Sequence, residues 1–224
     1  MSVVVFDFDK TLTYHDTWHD FLFYSGRRKS FFRIHHFLYI VFFLLQKFHL
    51  ISNYDLKRLG VWFFLNGMEI DNLNRYAQSF SLQLRMNQVY KSCFQHAISD
   101  KSKSVIVVSA SLGNYMKGLT ADAKLICSEL RIINNKVAGL ARHAYRLQKM
   151  LLLAEMQISH IDEFYTDSID DLDLVRISEL VYLVNGDSIQ KIDSADKFIT
   201  YYKSIHRSKI KSLYKIVTAQ YQNI

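Results

Sequence analysis

The sequence predicts an α/β fold: a parallel sheet flanked by helices, with an all-helical segment inserted after the first strand. Three observations point to it. The chain opens on Val3-Val4-Val5-Phe6, an unbroken apolar run suited to a parallel strand covered on both faces. Strand-like runs recur at Val105–Val108, Leu125–Cys127, Glu163–Thr166 and Val181–Val184, and helical patterns separate most of them, as in βαβ units. Between the first strand and Ser104 no stretch reads convincingly as a strand.

The first strand runs straight into Asp7-Phe8-Asp9-Lys10-Thr11. In open α/β sheets ligands bind beyond the carboxyl ends of the strands. Two carboxylates at such an end can share a hard cation such as Mg²⁺, and they can act as a nucleophile and an acid/base. Alone, the pair fits a strand ending in solvated acids equally well. The stretch that follows reads as several helices, with breaks near Ser25-Gly26, Ser52-Asn53, Asn66-Gly67 and Ser99-Asp100. The expected division is a core of residues 1–13 and 101–196, a helical cap of residues 14–100, and a basic helical tail of residues 197–224. Leu130 to Leu140, centred on Asn134-Asn135, reads as a hairpin.

Within the helical segment, Arg27-Arg28-Lys29 precedes an uncharged run from Phe37 to Leu45. At nine residues it falls far short of the roughly 20 needed to span a bilayer. Its length suits a buried cap helix, the favoured reading, or an interfacial segment beside a basic cluster. The tail holds Lys197, Lys203, Arg207, Lys209, Lys211 and Lys215 with no Asp or Glu, nearly the whole net charge of +7. Such a tail suits an anionic membrane surface or a solvated helix; nucleic acid is not expected, because no binding motif accompanies the charge.

Half of the 224 residues are apolar and 14% are aromatic, which excludes global disorder. Two cysteines, Cys93 and Cys127, suggest no disulfide framework and fit a reducing compartment. No secretory signal is apparent, so a cytoplasmic location is expected, with peripheral contact at the inner face of the membrane left open. No obligate protein partner is readable.

Three later signals join the first. Val105–Val108 ends at Ser109-Ala110-Ser111, Glu163–Thr166 ends at Asp167-Ser168-Ile169-Asp170-Asp171, and Lys149 opens an apolar helical pattern between them. That order resembles the haloacid dehalogenase-like superfamily over roughly residues 2 to 187. The resembling strings are FDFDKTLTYHDT, VIVVSAS and YTDSIDDLDL, and the placement of the helical segment is similar to subfamily IB, which includes phosphoserine phosphatases and phosphatidylglycerophosphatase C.

The resemblance implies a Rossmann-like core and a Mg²⁺-dependent phosphomonoesterase. Asp7 would attack phosphorus and form an aspartyl-phosphate, while Asp9 would protonate the leaving alcohol and then activate water. Mg²⁺ would be held by Asp7, the Asp9 backbone carbonyl and Asp167. Thr11, Ser109 and Lys149 would serve the phosphoryl group, and Asp171 would bind a metal-ligating water or orient Lys149. Lys149 stands eighteen residues before Asp167, closer than is usual for the motif lysine, so Arg146 and Arg142 remain alternatives to it. Asp16 stands near a substrate-reading glutamate of phosphoserine phosphatases, though capping of a helix from Thr17 is the favoured reading. The expected substrate is a small phosphometabolite or a lipid phosphate. A non-catalytic binder of a phosphorylated ligand or partner is the alternative.

Overall fold

The computed structural model describes residues 1–120 and 122–205. Seven strands form one sheet in the order β4-β3-β2-β1-β5-β6-β7. They are β1 (Ser2–Phe6), β2 (Lys103–Leu112), β3 (Lys124–Ile133), β4 (Lys136–Arg142), β5 (Ile161–Thr166), β6 (Ser178–Asn185) and β7 (Ser188–Ile192). β1 pairs in parallel with β2 on one side and β5 on the other. The sheet edges are antiparallel hairpins, β3–β4 and β6–β7.

The central strands alternate between two apolar layers, as the period of two requires. Val4, Phe6, Val105 and Val107 enter one cluster of buried residues; Val5, Ile106 and Val108 enter the other. That double burial is why these strands read as unbroken apolar runs. The Asn134-Asn135 turn has φ of 48° and 61°, the positive values that a tight hairpin demands and asparagine tolerates.

The segment between β1 and β2 holds α1 (Thr17–Gly26), α2 (Phe32–Lys47), α3 (Asn53–Phe64) and α4 (Ile70–Ser81). A π-helical turn (Tyr90–Phe94) then runs into α5 (Gln95–Ser99). Asp16 caps α1 by accepting from the Trp18 amide at 3.1 Å, and Ser52 caps α3 by accepting from the Asp55 amide at 3.0 Å. α1 and α3 pack closely at Gly60, where an added Cβ would lie 2.5 Å from Leu22. The loop after α3 is stitched to the β3–β4 hairpin by backbone bonds: Gly67 donates to Val137 at 2.8 Å, Val137 to Met68 at 2.9 Å, and Ile70 to Asn135 at 3.0 Å.

Two expectations change here. α2 is not a buried helix: Tyr39 is its one buried residue. The sequence is apolar on nearly all sides of this helix, so pattern alone could not say which side would be covered. The strand β7 was not anticipated, because only Ile192 of its five residues is buried and it shows no apolar alternation. The expected tail falls largely outside the described residues; within them, residues 195–205 are helical. No helix among the described residues is long and apolar enough to cross a membrane.

Candidate active site

β1 lies where the chain reverses its direction of progress across the sheet, with β2 to one side and β5 to the other. Such a switch point opens a crevice beyond the carboxyl ends of the strands. Here a cavity of about 390 Å³ is lined by Asp7, Asp9, Lys149, Asp167 and Asp171 from the sheet side. From the helical side it is lined by Asp16, His19, Phe43, Gln46, Lys47 and Lys57. A larger cavity of about 710 Å³ lies between β7 and residues 195–205, away from these carboxylates.

Lys149 lies in the first turn of α6 (Leu147–Glu155) and is 4% exposed. Its Nζ donates to Asp7 Oδ1 at 2.7 Å and to Asp171 Oδ1 at 2.6 Å. Asp171 Oδ2 accepts from Thr166 Oγ1 at 2.8 Å, so both of its oxygens are engaged within the protein. Among the described residues no donor is bonded to Asp7 Oδ2. Arg146 is paired with Asp170 at 2.7 Å and Arg142 with Glu129, so neither alternative to the lysine reaches Asp7.

Asp9 is gripped from two sides. Its Oδ1 accepts from the Thr17 amide at 2.7 Å and the Thr17 hydroxyl at 2.5 Å, while Oδ2 accepts from Ser111 Oγ at 2.5 Å. Ser109, the residue singled out from the sequence, is fully buried behind the pocket wall. Its Oγ accepts from the Ser111 amide at 3.0 Å and lies 3.5 Å from Asp9 Oδ2. Thr11 is also fully buried, its hydroxyl 3.5 Å from Asp167 Oδ1. Of the three residues expected to meet phosphate, Lys149 alone lines the cavity. The tight turn after β1, in which the Thr11, Leu12 and Thr13 amides all point at the Phe8 carbonyl, folds Thr11 inward. Asp16 caps α1, the favoured reading, and the residue also lines the cavity.

The electrostatics are those of a buried site with excess negative charge. Burial raises Asp7 well above the usual carboxylate range, against the attraction of Lys149, and Asp171 and Asp167 add to the rise. Burial and then Asp16 raise Asp9. Burial pushes Asp167 up to about 7. Burial disfavours the Lys149 ammonium too, but Asp171 and Asp7 outweigh it and hold its pKa above the ordinary value. A divalent cation would relieve this repulsion, and the donor set of carboxylates and a strand-end carbonyl is all hard oxygen, so the residues fit Mg²⁺. The other candidate cluster among the described residues is His160, Asp162 and Glu179, at the opposite ends of the strands, with His160 and Glu179 exposed and Asp162 half-buried.

Lys57 was not singled out from the sequence, where it looks like a surface charge on an ordinary helix. It is 8% exposed, its Nζ donates to the Ala110 carbonyl at 2.6 Å, and it lies 4.1 Å from the Trp18 ring centroid. Among the described residues it forms no ion pair, and burial lowers its pKa to about 8. One turn earlier on α3, Asn53 Oδ1 meets His143 Nε2 at 3.0 Å, and His143 Nδ1 meets Ser128 Oγ at 3.1 Å. Ser128 in turn donates to the Ala110 carbonyl at 2.8 Å. Two residues four apart on α3 are thus tied to the end of β2.

The model of the haloacid dehalogenase-like hydrolase family matches residues 4–176. The chain belongs to this family. A family hydrolase from Salmonella enterica serovar Typhi is similar in structure, with a TM-score of 0.58 at 13% identity over 79% of this chain and 60% of that one. A protein of unknown function from Bordetella pertussis gives 0.63 at 17% identity, over 78% and 85% of the two chains. A probable phosphoserine phosphatase from Vibrio cholerae gives 0.56 at 11% identity, over 80% and 55%. This chain therefore spans little more than half the length of two of these three. At such identities the likeness concerns the family's fold. No curated protein matches the chain in sequence.

Proposed function

We propose that the protein is a Mg²⁺-dependent phosphomonoester hydrolase working through an aspartyl-phosphate on Asp7. The observation that supports it best is the buried Lys149 bridge between Asp7 and Asp171. It fixes Asp7 with one oxygen tied and Oδ2 turned loose for in-line attack on phosphorus. Attack makes an acyl phosphate and releases an alkoxide, to which Asp9 gives its proton. Asp9 then takes a proton from the water that cleaves the acyl phosphate, returning Asp7 as a carboxylate and releasing inorganic phosphate. Burial raises its pKa, which favours the protonated form that the first of these transfers needs. To reach the leaving oxygen, Asp9 Oδ2 exchanges its bond from Ser111 for one to the substrate.

Lys149 would neutralise charge on the equatorial phosphoryl oxygens, and Asp171, with both oxygens engaged, would hold Lys149 in place. Asp7, the Asp9 carbonyl and Asp167 would hold Mg²⁺, which when bound supplies further neutralisation of phosphoryl charge. Ser109 and Thr11 would act from behind the wall, Ser109 by fixing the turn of Ser111 and Thr11 by steadying Asp167. Asp16 and Lys57 would meet the part of the substrate that does not react, a small phosphometabolite or the headgroup of a lipid phosphate. The helices of residues 14–100 would form the cap that closes over it.

The test is hydrolysis of p-nitrophenyl phosphate with Mg²⁺ or with EDTA, beside the Asp7→Asn variant. Activity that needs Mg²⁺ and disappears in Asp7→Asn is expected. A variant that keeps its activity would overturn the assignment of the nucleophile.

A further inference from the structure

α2 turns an apolar face to the solvent. Ile34, Phe37, Leu38, Val41, Leu44 and Phe48 are all exposed, Phe37 by 67% and Phe48 by 74%. Their spacing of three and four residues places them on one side of the helix, opposite the buried Tyr39. Trp62 of α3, 59% exposed, extends the patch, since its ring lies 6.4 Å from that of His35 on α2. Contiguous apolar surface of this kind on a folded protein marks a binding face.

The charge around the face says what binds there. From residue 21 to residue 54 the chain holds Arg27, Arg28, Lys29, Arg33 and Lys47 and no acidic residue at all. Arg27, Lys29 and Arg33 surround a cleft at the start of α2, beside Phe31. An apolar helix face entered through a basic cluster, Arg27 to Arg33, in a segment that carries no acid is the composition of an interfacial helix on anionic lipid. A second copy of the chain would bring the same sign of charge to the contact. So would residues 206–224, which carry Arg207, Lys209, Lys211 and Lys215 and no acid.

The same helix leads into the catalytic cavity. Phe43, Gln46 and Lys47, in its last two turns, line the wall opposite Asp7 and Asp167. We propose that the outer face of α2 and its basic flank dock the protein on an anionic membrane surface, and so present the cavity to a phosphomonoester carried in that membrane. The choice of a lipid phosphomonoester rests on the phosphatase reading; the docking does not.

Cosedimentation of the full chain with phosphatidylcholine vesicles, with and without phosphatidylglycerol, tests the docking. Binding about tenfold stronger to the anionic vesicles, weakened by salt, is expected. Ile34→Asp/Phe37→Asp should lower vesicle binding by about tenfold or more while leaving p-nitrophenyl phosphate hydrolysis unchanged. Arg27→Gln/Arg33→Gln, which leaves the apolar face intact, should remove most of the preference for anionic lipid. Phosphate release from vesicle-borne phosphatidic acid should fall with binding in both variants, whereas release from a short-chain soluble analogue should not.

Failure of the full chain to sediment with anionic vesicles overturns the proposal. So does equal binding by the Asp variant, loss of all binding on removing residues 206–224 alone, or a dimer that the Asp variant dissociates. Vesicle binding without any phosphatase activity would instead overturn the phosphatase reading and leave the docking in place. Soluble activity without vesicle binding does the reverse.

Discussion

The catalytic cavity and the outer face of α2 sit at two sides of one helix and obey opposite rules. In the cavity, carboxylates are withdrawn from water and nearly every one is bonded: Asp171 to Lys149 and Thr166, Asp9 to Thr17 and Ser111. On the outer face, large apolar side chains are left partly or largely in water among the described residues. Burying charge and exposing apolar surface both cost free energy, and folding alone removes neither. The contrast teaches where to look for a ligand. Each side of α2 is incomplete in its own way, the inner side lacking positive charge and the outer side lacking apolar cover.

The comparison is broken most severely at Asp7, the proposed nucleophile. Asp7→Asn should reduce phosphoester hydrolysis by about a thousandfold or more with the circular dichroism spectrum unchanged. Lys149→Met comes next, because it leaves Asp7 and Asp171 facing each other in a buried site. A loss of about 3–5 kcal/mol in urea unfolding at neutral pH is expected, along with loss of activity. The defect in stability should shrink at acid pH, where Asp7, whose pKa burial raises, takes up a proton.

Asp167 gives a smaller effect with a defined sign. Its folded pKa of about 7 lies above the ordinary value of 3.8. Between those values the folded metal-free protein binds more protons than the unfolded chain, so this group's contribution to stability is fully present below about 4 and is lost as pH rises through 7. As a proposed ligand of Mg²⁺, Asp167 would have to lose that proton. The rise in melting temperature on adding Mg²⁺ should therefore be larger at pH 8 than at pH 5.5, and Asp167→Asn should narrow the difference.

Lys57→Met should raise KM for an anionic substrate by about tenfold and leave stability near the native level, since an apolar side chain replaces a buried cation. Smallest of all, Phe37→Ser should change unfolding free energy by no more than about 0.5 kcal/mol, because the ring is already in water. A larger loss would mean that the outer face supports the fold, and the contrast between the two sides of α2 would fail.

The parts of this molecule that could be read from the sequence are those where one residue type has one structural use. Val3-Val4-Val5-Phe6 needs cover on both faces and receives it; Asn134-Asn135 tolerates the positive φ of a tight turn; Asp16 caps the helix that it precedes. The carboxylates were legible because acids at the end of an apolar strand have few other reasons to be there. Lys57 was not, since a lysine on a helix is ordinary until its burial is known. The inward turn of Ser109 and Thr11 depends on how the strand ends fold back, and no local pattern encodes it. The orientation of α2 was unreadable for the reason that makes it interesting: a helix apolar on nearly all sides does not say which side is covered.

The bond from Lys57 to the Ala110 carbonyl has a mechanical corollary. Ala110 stands between Ser109 and Ser111, and Ser111 grips Asp9. Lifting α3 off the sheet pulls on the very peptide that positions that grip. Were α3 to lift to admit substrate, the grip on Asp9, the proposed general acid, would loosen in the same displacement, transmitted through the Ala110 carbonyl.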